Sequence, residues 1–540
     1  MSASSKKKLR KAEAAAKLTE RQAAEQKEAK KLKTYSIIFC VVIIAMLIFA
    51  LVFGISKTIS NNGIMERSTT AAKIGDHEIS SAEMNMFYID AINSYGQYLT
   101  IFGVDTTKPL SQQVQDAATG TTWADYFQDV ALENAKHVYT MCDLANAAGY
   151  TLPAEEQAEL NSALENAEFY ALMNYGYSDL ESYLKAMYGN GCTEKLFIQY
   201  QQNSALAQSY YNYYPETLSY TDDQLAAFEA GKSAEYDSYT YNYYTLTVDK
   251  FLTGGTTDAE GKTTYSDEEK AAAVTAAEEA AKALTADEVA TVKDLDAAIA
   301  ALPFNAEVEN AASTLCNDQA YNSVNSIIRE WVIDDARKAG DRSYFATTST
   351  DAEGNQTTTG YIVVMYHSTN NNEYPLVNVR HILVPFEGGT ADANGNVVYS
   401  DAEKQAAQAK ANDLLAQFKA TDGSAAAFGE LAKNNSTDPG SKDNGGLYTD
   451  VYPGQMKTAF NDWCFDETRK AGDSGLVETD LGWHVMFYDG DSETTYREFL
   501  LTNAMKQADA TAWYEAALAG VTAEITNAKY IEKDLVLSAG

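Results

Sequence analysis

Cysteine is scarce in this chain, five residues in 540, and none falls in a Cys-x-x-Cys pair. A disulfide-stapled scaffold is therefore excluded. Cys142, Cys192, Cys316 and Cys464 could pair, but buried free thiols are the simpler reading. Histidine is equally rare, at five residues, and no Cys/His cluster has metal-site spacing. Neither a metal nor another cofactor is expected. Cationic charge is short as well, with 41 Lys and Arg against 76 Asp and Glu, a formal net of −35. That balance argues against nucleic acid as a partner, because phosphate neutralisation needs a surplus of cations.

What is present is globular in character, 45% hydrophobic and 22% charged, with room for roughly three or four domains. The charge is unevenly placed. Residues 1–34 hold 11 Lys/Arg and 4 Asp/Glu, a net of +7 that leaves −42 for the remainder. Next come 21 uncharged residues, Tyr35–Ile55, including Cys40. A run of that length spans a bilayer core as a helix. The basic residues before it, ending at Lys30-Lys31-Leu32-Lys33, place the amino terminus inside and the carboxyl terminus outside. A cleaved signal peptide fits less well, since the basic region is long and no small-x-small site directly follows the apolar run.

Beyond a polar linker from Ser56 to Thr70, the stretch Ala72–Ile79 reads as strand, Gly75-Asp76 turn and strand. It leads into a helix start at Ser81-x-Glu83. Helical patterning continues to about Leu225, carried by Trp123 and Phe127, by Leu160 and Leu164, and by Leu180, Tyr183, Leu184 and Met187. Tyrosine is frequent here, notably Tyr210, Tyr211, Tyr213 and Tyr214. Such rings either line a cradle for unfolded chains or pack helices together.

An internal repeat sets the rest of the architecture. Gly254–Lys270 matches Gly388–Lys404 at 11 of 17 positions, and Trp331–Asp341 matches Trp463–Asp473 at 7 of 11. Gly360–Tyr366 then answers Gly482–Tyr488. Two copies of one domain are expected, at 236–370 and 374–490. Each reads strand, glycine-rich hairpin, Ala-rich helix, middle segment, helix and final strands. That is an α+β pattern, with helices packed on a small antiparallel sheet. The Asp-Ala-x-Gly hairpin tips lack a full calcium ligand series and read as turns. Residues 491–540 return to a helical pattern around Phe499, Leu500, Met505, Trp513 and Leu518.

The densest signals lie in the second copy. They are the strand Val379-Arg380-His381-Ile382-Leu383-Val384, then Phe428-Gly-Glu-Leu-Ala432, Ser436-Thr-Asp438, Gly445-Gly446-Leu447 and Gly454-Gln455-Met456 with Phe460. Gly482-Trp483-His484-Val485-Met486-Phe487 closes the series. These separated signals in this order resemble the parvulin family of peptidyl-prolyl cis/trans isomerases. The whole chain resembles the membrane-attached extracytoplasmic foldases that carry such domains. The resemblance implies a single-pass protein of a Gram-positive-type cell surface, with its amino terminus in the cytoplasm. Those relatives are often lipid-anchored through a Cys after the apolar run. Cys40 lies near the start of that run, so a peptide anchor is expected instead.

The implied layout is a basic tail 1–34, a transmembrane helix 35–55, a helical chaperone-like domain 56–235, a degenerate copy 236–370, an active copy 374–490 and a helical segment 491–540 returning to the chaperone-like domain. Partners would be unfolded or newly secreted polypeptides; oligomeric state is left open.

Turning an X-Pro bond means losing amide resonance, against a barrier of about 18–20 kcal/mol. A catalyst needs an apolar slot for the ring and a few fixed polar groups beside the amide. Met456 and Phe460, four apart, would project from one face of a short helix and clasp the ring with Leu447, with Gln455 beside them. By resemblance, His381 and His484 come from neighbouring strands and bond to each other. Asp438 lies near the substrate carbonyl and Thr479 supports the histidines. Burial of Asp438 is expected to raise its pKa.

The first copy looks disarmed, with Ile362 in place of His484 and Tyr243-Tyr244 where His381 would fall. Phosphate selectivity is not expected, because Pro385-Phe-Glu-Gly-Gly389 carries no Lys or Arg. The alternative reading is a non-catalytic peptide-binding chaperone or cell-surface scaffold that retains the parvulin folds.

Overall fold

The computed structural model describes residues 63–532 apart from 353, 393, 394 and 467. The basic tail and the apolar run Tyr35–Ile55 lie outside the described residues. Among the described residues, no helix is long and apolar enough to cross a membrane. The architecture is α+β, helices with small antiparallel sheets, in two compact units. One holds residues 63–220 with 503–532; the other holds 221–502.

In the first unit a short helix, Ile64–Ser68, leads into a hairpin, β1 (Thr70–Ile74) and β2 (His77–Ser80), turning at Gly75 with φ +52°. Helix α1 (Ser81–Ser94) follows. Its N-cap is Ser80, one residue earlier than the sequence suggests, with the Ser80 hydroxyl accepting from the Glu83 N–H. Apolar residues surround α1, and Met84, Met86, Phe87, Tyr88, Ile89 and Ile92 are all buried. A helix apolar on every side belongs at the centre of its unit. Helices α2 (Trp123–Ala147), α3 (Ala154–Met173), α4 (Leu180–Tyr188) and α5 (Glu194–Tyr213) complete the layer. Thr122 and Asp125 form a capping box at the start of α2.

The chain end returns to this unit, where the strand Ala523–Ile525 pairs with β1. Tyr214 stacks on Trp513 at 3.9 Å, and Tyr210 and Tyr211 pack on Trp513 and Tyr514. Those tyrosines are packing residues; Tyr213 is half exposed. Cys142, Cys192 and Cys464 are buried free thiols, and Cys316 is half-buried.

The second unit contains the two repeats. The first runs β3 (Ser238–Thr247), α6 (Asp267–Leu284), α7 (Val292–Ala300), β4 (Thr314–Ala320), β5 (Arg342–Thr350) and β6 (Gln356–Asn370). The second runs β7 (Pro375–Pro385), α8 (Asp401–Lys419), α9 (Ala425–Asn435), β8 (Leu447–Val451), α10 (Thr458–Cys464), β9 (Ser474–Thr479) and β10 (Gly482–Thr495). Sheet order is β4-β3-β6-β5 in one and β8-β7-β10-β9 in the other, the same topology twice. Registers also correspond, with Gly360 opposite Thr247 and Gly482 opposite Pro385. The hairpin tips are side-chain turns: Asp258 accepts from the Glu260 and Lys262 N–H groups, and Asp392 from the Asn396 N–H. Buried Arg497 binds Glu229, Asp237 and the Asn371 carbonyl, tying the start of the first repeat to the junction between the two.

Alternation along β7 sorts its two faces. Ile382 and Val384 join Val485, Phe487, Leu414, Phe418 and Phe428 under α8 and α9. Val379 joins Met486, Met456 and Phe460 on the other side, against α10. His381 has the phase of Val379, so the sequence pattern itself puts it on the α10 face.

Candidate active site

The site grows from the pairing of β7 with β10. His381 stands opposite Met486 and His484 opposite Leu383, so the two imidazoles are diagonal neighbours on one face. Their Nδ1 atoms are 3.0 Å apart and both residues are 4% exposed. Thr479, the last residue of β9, brings its hydroxyl to 2.8 Å from His484 Nε2.

At the other end, Asp438 Oδ2 lies 3.0 Å from His381 Nε2. The loop after α9 is pinned there by its own sequence. Ser436 Oγ accepts from the Leu383 and Asp438 N–H groups, and the Thr437 N–H donates to the Leu383 carbonyl. The same carboxylate oxygen accepts from Ser441 Oγ at 2.5 Å and from the Tyr448 hydroxyl at 2.8 Å. The Gly-Gly turn makes room for this approach. Gly446 has φ +73°, and a Cβ there would meet the His381 carbonyl oxygen at 2.3 Å.

These contacts fix a direction for the protons when both rings are neutral. An ionised Asp438 only accepts, so His381 donates from Nε2 and accepts at Nδ1. His484 then donates from Nδ1 and accepts at Nε2 from the Thr479 hydroxyl, which itself accepts from the Leu481 N–H at 3.2 Å. Every member has its partner, and the row ends on the carboxylate.

The expectation that burial raises the pKa of Asp438 is overturned. Burial is the largest single influence and does push upward. Hydrogen bonds from His381, Ser441 and Tyr448, with the attraction of His381, together outweigh it and hold the carboxyl below its ordinary value. Tyr448 moves the other way, since burial and the Asp438 charge raise its pKa and keep its proton in place.

The apolar wall is Met456 and Phe460 with Tyr448, Val477 and Met486. Phe460 is edge-on to both imidazoles. Met456 is not on the helix, contrary to the sequence reading, because α10 starts only at Thr458. The Asn461 side chain holds it in the preceding turn by accepting the Met456 N–H at 3.2 Å. Leu447 pairs with Arg380 and so takes the phase opposite to His381. The residue that β8 presents to the site is Tyr448, opposite Val379 and 5.5 Å from the His381 ring. Gln455 closes its own turn, its side chain accepting from the Tyr452 N–H at 3.1 Å. Tyr448 and Ser441 were not singled out in the sequence; counting alternation onward from Gly445-Gly446 would have indicated Tyr448.

In the first repeat the matching positions are apolar or aromatic. The register puts Ile362 at the place of His484 and Tyr243 at that of His381. Val324 and Ile328, both 1% exposed, fill the wall. Among the described residues, no group of three or more His, Cys, Asp or Glu could hold a metal ion.

A four-stranded antiparallel sheet with helices on both faces and paired histidines on its central strands defines a parvulin-class domain, and comparison agrees. Residues 361–489 match the family described as PPIC-type PPIASE domain. The chain therefore carries a peptidyl-prolyl isomerase domain of the parvulin type. It is 32% identical over 143 residues to Foldase protein PrsA 2 of Listeria monocytogenes serotype 4b (strain F2365), a stretch covering 26% of this chain and 39% of that one. The chain thus spans about two fifths of the length of that relative. Among solved structures, peptidylprolyl isomerase (PrsA) from Bacillus anthracis is similar at 18% identity and TM-score 0.17, covering 28% of this chain and 59% of that one. A structure from work on the SurA-like chaperones PEB4 and Cj1289 of Campylobacter jejuni is similar at 24% identity and TM-score 0.16, covering 26% and 52%.

Proposed function

We propose that this protein is a peptidyl-prolyl cis/trans isomerase and foldase acting on unfolded, newly secreted polypeptides outside the cytoplasmic membrane. The observation that carries the reading is the meeting of a closed hydrogen-bonded row, Thr479–His484–His381–Asp438, with the apolar wall of Met456 and Phe460. In this reading the proline ring packs on Phe460, Met456 and Tyr448, and the amide lies beside the imidazoles. No covalent bond is made or broken. Resonance puts negative charge on the amide oxygen, and a fixed anion at Asp438 disfavours that charge. The twisted amide, which has less of it, is bound more tightly than the planar one. Thr479 and the two histidines act as positioning groups that hold the carboxylate and the wall in register.

The domain layout inferred from sequence belongs to the same proposal. Residues 35–55 anchor the chain with 1–34 inside, 56–235 hold clients, 236–370 is a non-catalytic copy, 374–490 isomerises and 491–540 is a helical segment packing on the chaperone-like domain. A protease-coupled proline-peptide assay on the full chain tests the activity. Acceleration abolished by His381→Ala supports the reading, and a wild-type chain without acceleration overturns it. Protease added to intact cells tests the topology, which requires cleavage beyond Ile55.

A further inference from the structure

Met456 stands between elements. β8 ends at Val451 and α10 begins at Thr458, so the wall of the slot depends on what holds the loop 452–457. Inside that loop the Gln455 N–H donates to the Tyr452 carbonyl, and the Gln455 side chain accepts from the Tyr452 N–H, each at 3.1 Å. Tyr452 and Gln455 thus close one turn, and Met456 is its next residue. The turn is held from outside by its aromatic ring. Tyr452 stacks on Tyr496 with centroids 5.8 Å apart and planes at 10°, and it lies 4.9 Å from Phe499. Both rings belong to the first turn of the helix that begins at Tyr496, beyond the second repeat. Asp450, at φ +53°, fastens the chain where the loop begins. Its carboxylate accepts from the Ser492 hydroxyl, and its N–H donates to Asn378 Oδ1 at 3.1 Å.

The helix start is fixed in turn to the first repeat. The Tyr496 N–H donates to the Tyr374 carbonyl and the Arg497 N–H to the Asn372 carbonyl, both at 2.9 Å. Asn372, 2% exposed, donates from its side chain to the Tyr236 carbonyl at 2.8 Å and accepts from the Ser238 hydroxyl at 3.1 Å. Arg497 Nη1 lies 2.6 Å from Asp237 Oδ1, and its Nε lies 2.8 Å from Glu229 Oε1. Tyr236, Asp237 and Ser238 therefore grip the same helix turn whose rings grip the Met456 loop.

We propose that Tyr496 and Phe499 are positioning residues of the proline slot, holding Met456 in place through Tyr452, and that the first repeat serves the second by fixing that helix turn through Arg497. The inference rests on the isomerase reading for its substrate and deepens it. The working unit then extends past residue 490, and the non-catalytic repeat has a mechanical task. The wall meets the proline ring in the planar and the twisted amide alike. Loosening it weakens binding of both and leaves the step between them unchanged. Asp438 is held by another segment, through Ser436 and Ser441, so the hydrogen-bonded row stays formed.

The test uses the full chain and a fluorescently labelled Ala-Ala-Pro-Ala peptide, with equilibrium binding, KM, kcat and imidazole nitrogen shifts measured separately. Tyr496→Leu removes the stack and should raise Kd and KM roughly three- to ten-fold, with kcat and the imidazole shifts unchanged. Phe499→Leu, a milder loss, should move them in the same direction. Tyr496→Phe keeps the ring and should restore wild-type values. Arg497→Lys keeps the charge but loses the fork that spans Glu229 and Asp237, and should raise KM at least two-fold. Unchanged Kd in both Tyr496→Leu and Phe499→Leu overturns the positioning role. A fall in kcat with altered imidazole shifts also overturns it, since the effect would then run through the histidine row. Wild-type KM in Arg497→Lys overturns the part given to the first repeat. Peptide binding that weakens in Tyr496→Leu, in a chain without turnover, would remove the isomerase reading and leave the positioning role standing. Turnover with Kd and KM insensitive to Tyr496 and Phe499 would do the reverse.

Discussion

Phe460 packs edge-on against His381 and His484 at once, with ring centroids 5.4 Å from each and interplanar angles of 79° and 90°. The apolar wall and the hydrogen-bonded row are therefore one packed object. Phe460→Ala should both open a cavity and release the imidazoles. The expected cost is about 3–5 kcal/mol in domain stability, together with loss of prolyl-peptide turnover. Amide exchange in β7 and β10 reads the first and the peptide assay the second. A variant that keeps wild-type exchange and turnover would separate the wall from the row.

Thr479→Val keeps the size of the side chain and removes the hydroxyl that donates to His484 Nε2. The ring then loses the contact that fixes its tautomer. Turnover should fall on the order of three- to ten-fold with the fold retained. Nitrogen chemical shifts of the imidazoles should show His484 as a mixture of tautomers. A single unchanged tautomer would contradict the proton order derived above.

Two carboxyls should give opposite pH signatures. Asp438 is held below its ordinary value, so its contribution to stability is present at neutral pH. It is lost as pH falls below about 4 and continues towards the depressed value. Asp438→Asn should remove that acid-side loss. Asp90, in the helical unit, receives the hydroxyls of Tyr188 and Tyr200, yet burial raises its pKa from 3.8 to about 6. The folded state then binds more protons than the unfolded one between those values. Stability due to Asp90 is fullest in acid and declines as pH rises through that window. Asp90→Asn should raise stability at pH 7 by about 1–3 kcal/mol and flatten the slope. Denaturant midpoints across pH check both signs.

The Gly-Gly turn offers a backbone test. Gly446→Ala would place a methyl group against the His381 carbonyl at a residue with positive φ. Destabilisation of more than about 1 kcal/mol is expected, with exchange in β7 affected first. A neutral substitution would show that β8 can move away from β7 without cost.

What could be read from the sequence follows the range of the forces involved. The duplication was legible because turn and scaffold residues repeat as letters, Gly388-Gly389 for Gly254-Gly255 and Trp463 for Trp331. The shared strand order was not, since it depends on pairings between residues far apart in the chain. His381 and His484 stood out by rarity and by alternation along strands. Spacing alone puts Met456 on a helix, whereas α10 starts at Thr458 and the Met456 N–H is held by Asn461 in the preceding turn. The Gly445-Gly446-Leu447 motif points to Leu447, whereas the strand register turns Tyr448 towards the site. The direction of the Asp438 shift was missed for a similar reason. Desolvation can be guessed from a motif, but donors from Ser441, Tyr448 and His381 converge only once the chain has folded.

The most direct measurement is the rate of cis-to-trans conversion of a prolyl peptide by the full chain, compared among wild type, His381→Ala and Ile328→Ala. The wild type should accelerate the reaction, His381→Ala should lose at least ten-fold, and Ile328→Ala, in the wall of the first repeat, should retain the wild-type rate. Undiminished catalysis by His381→Ala, or its loss in Ile328→Ala with the second repeat still folded, would contradict the assignment of the activity to the site that the paired histidines hold together.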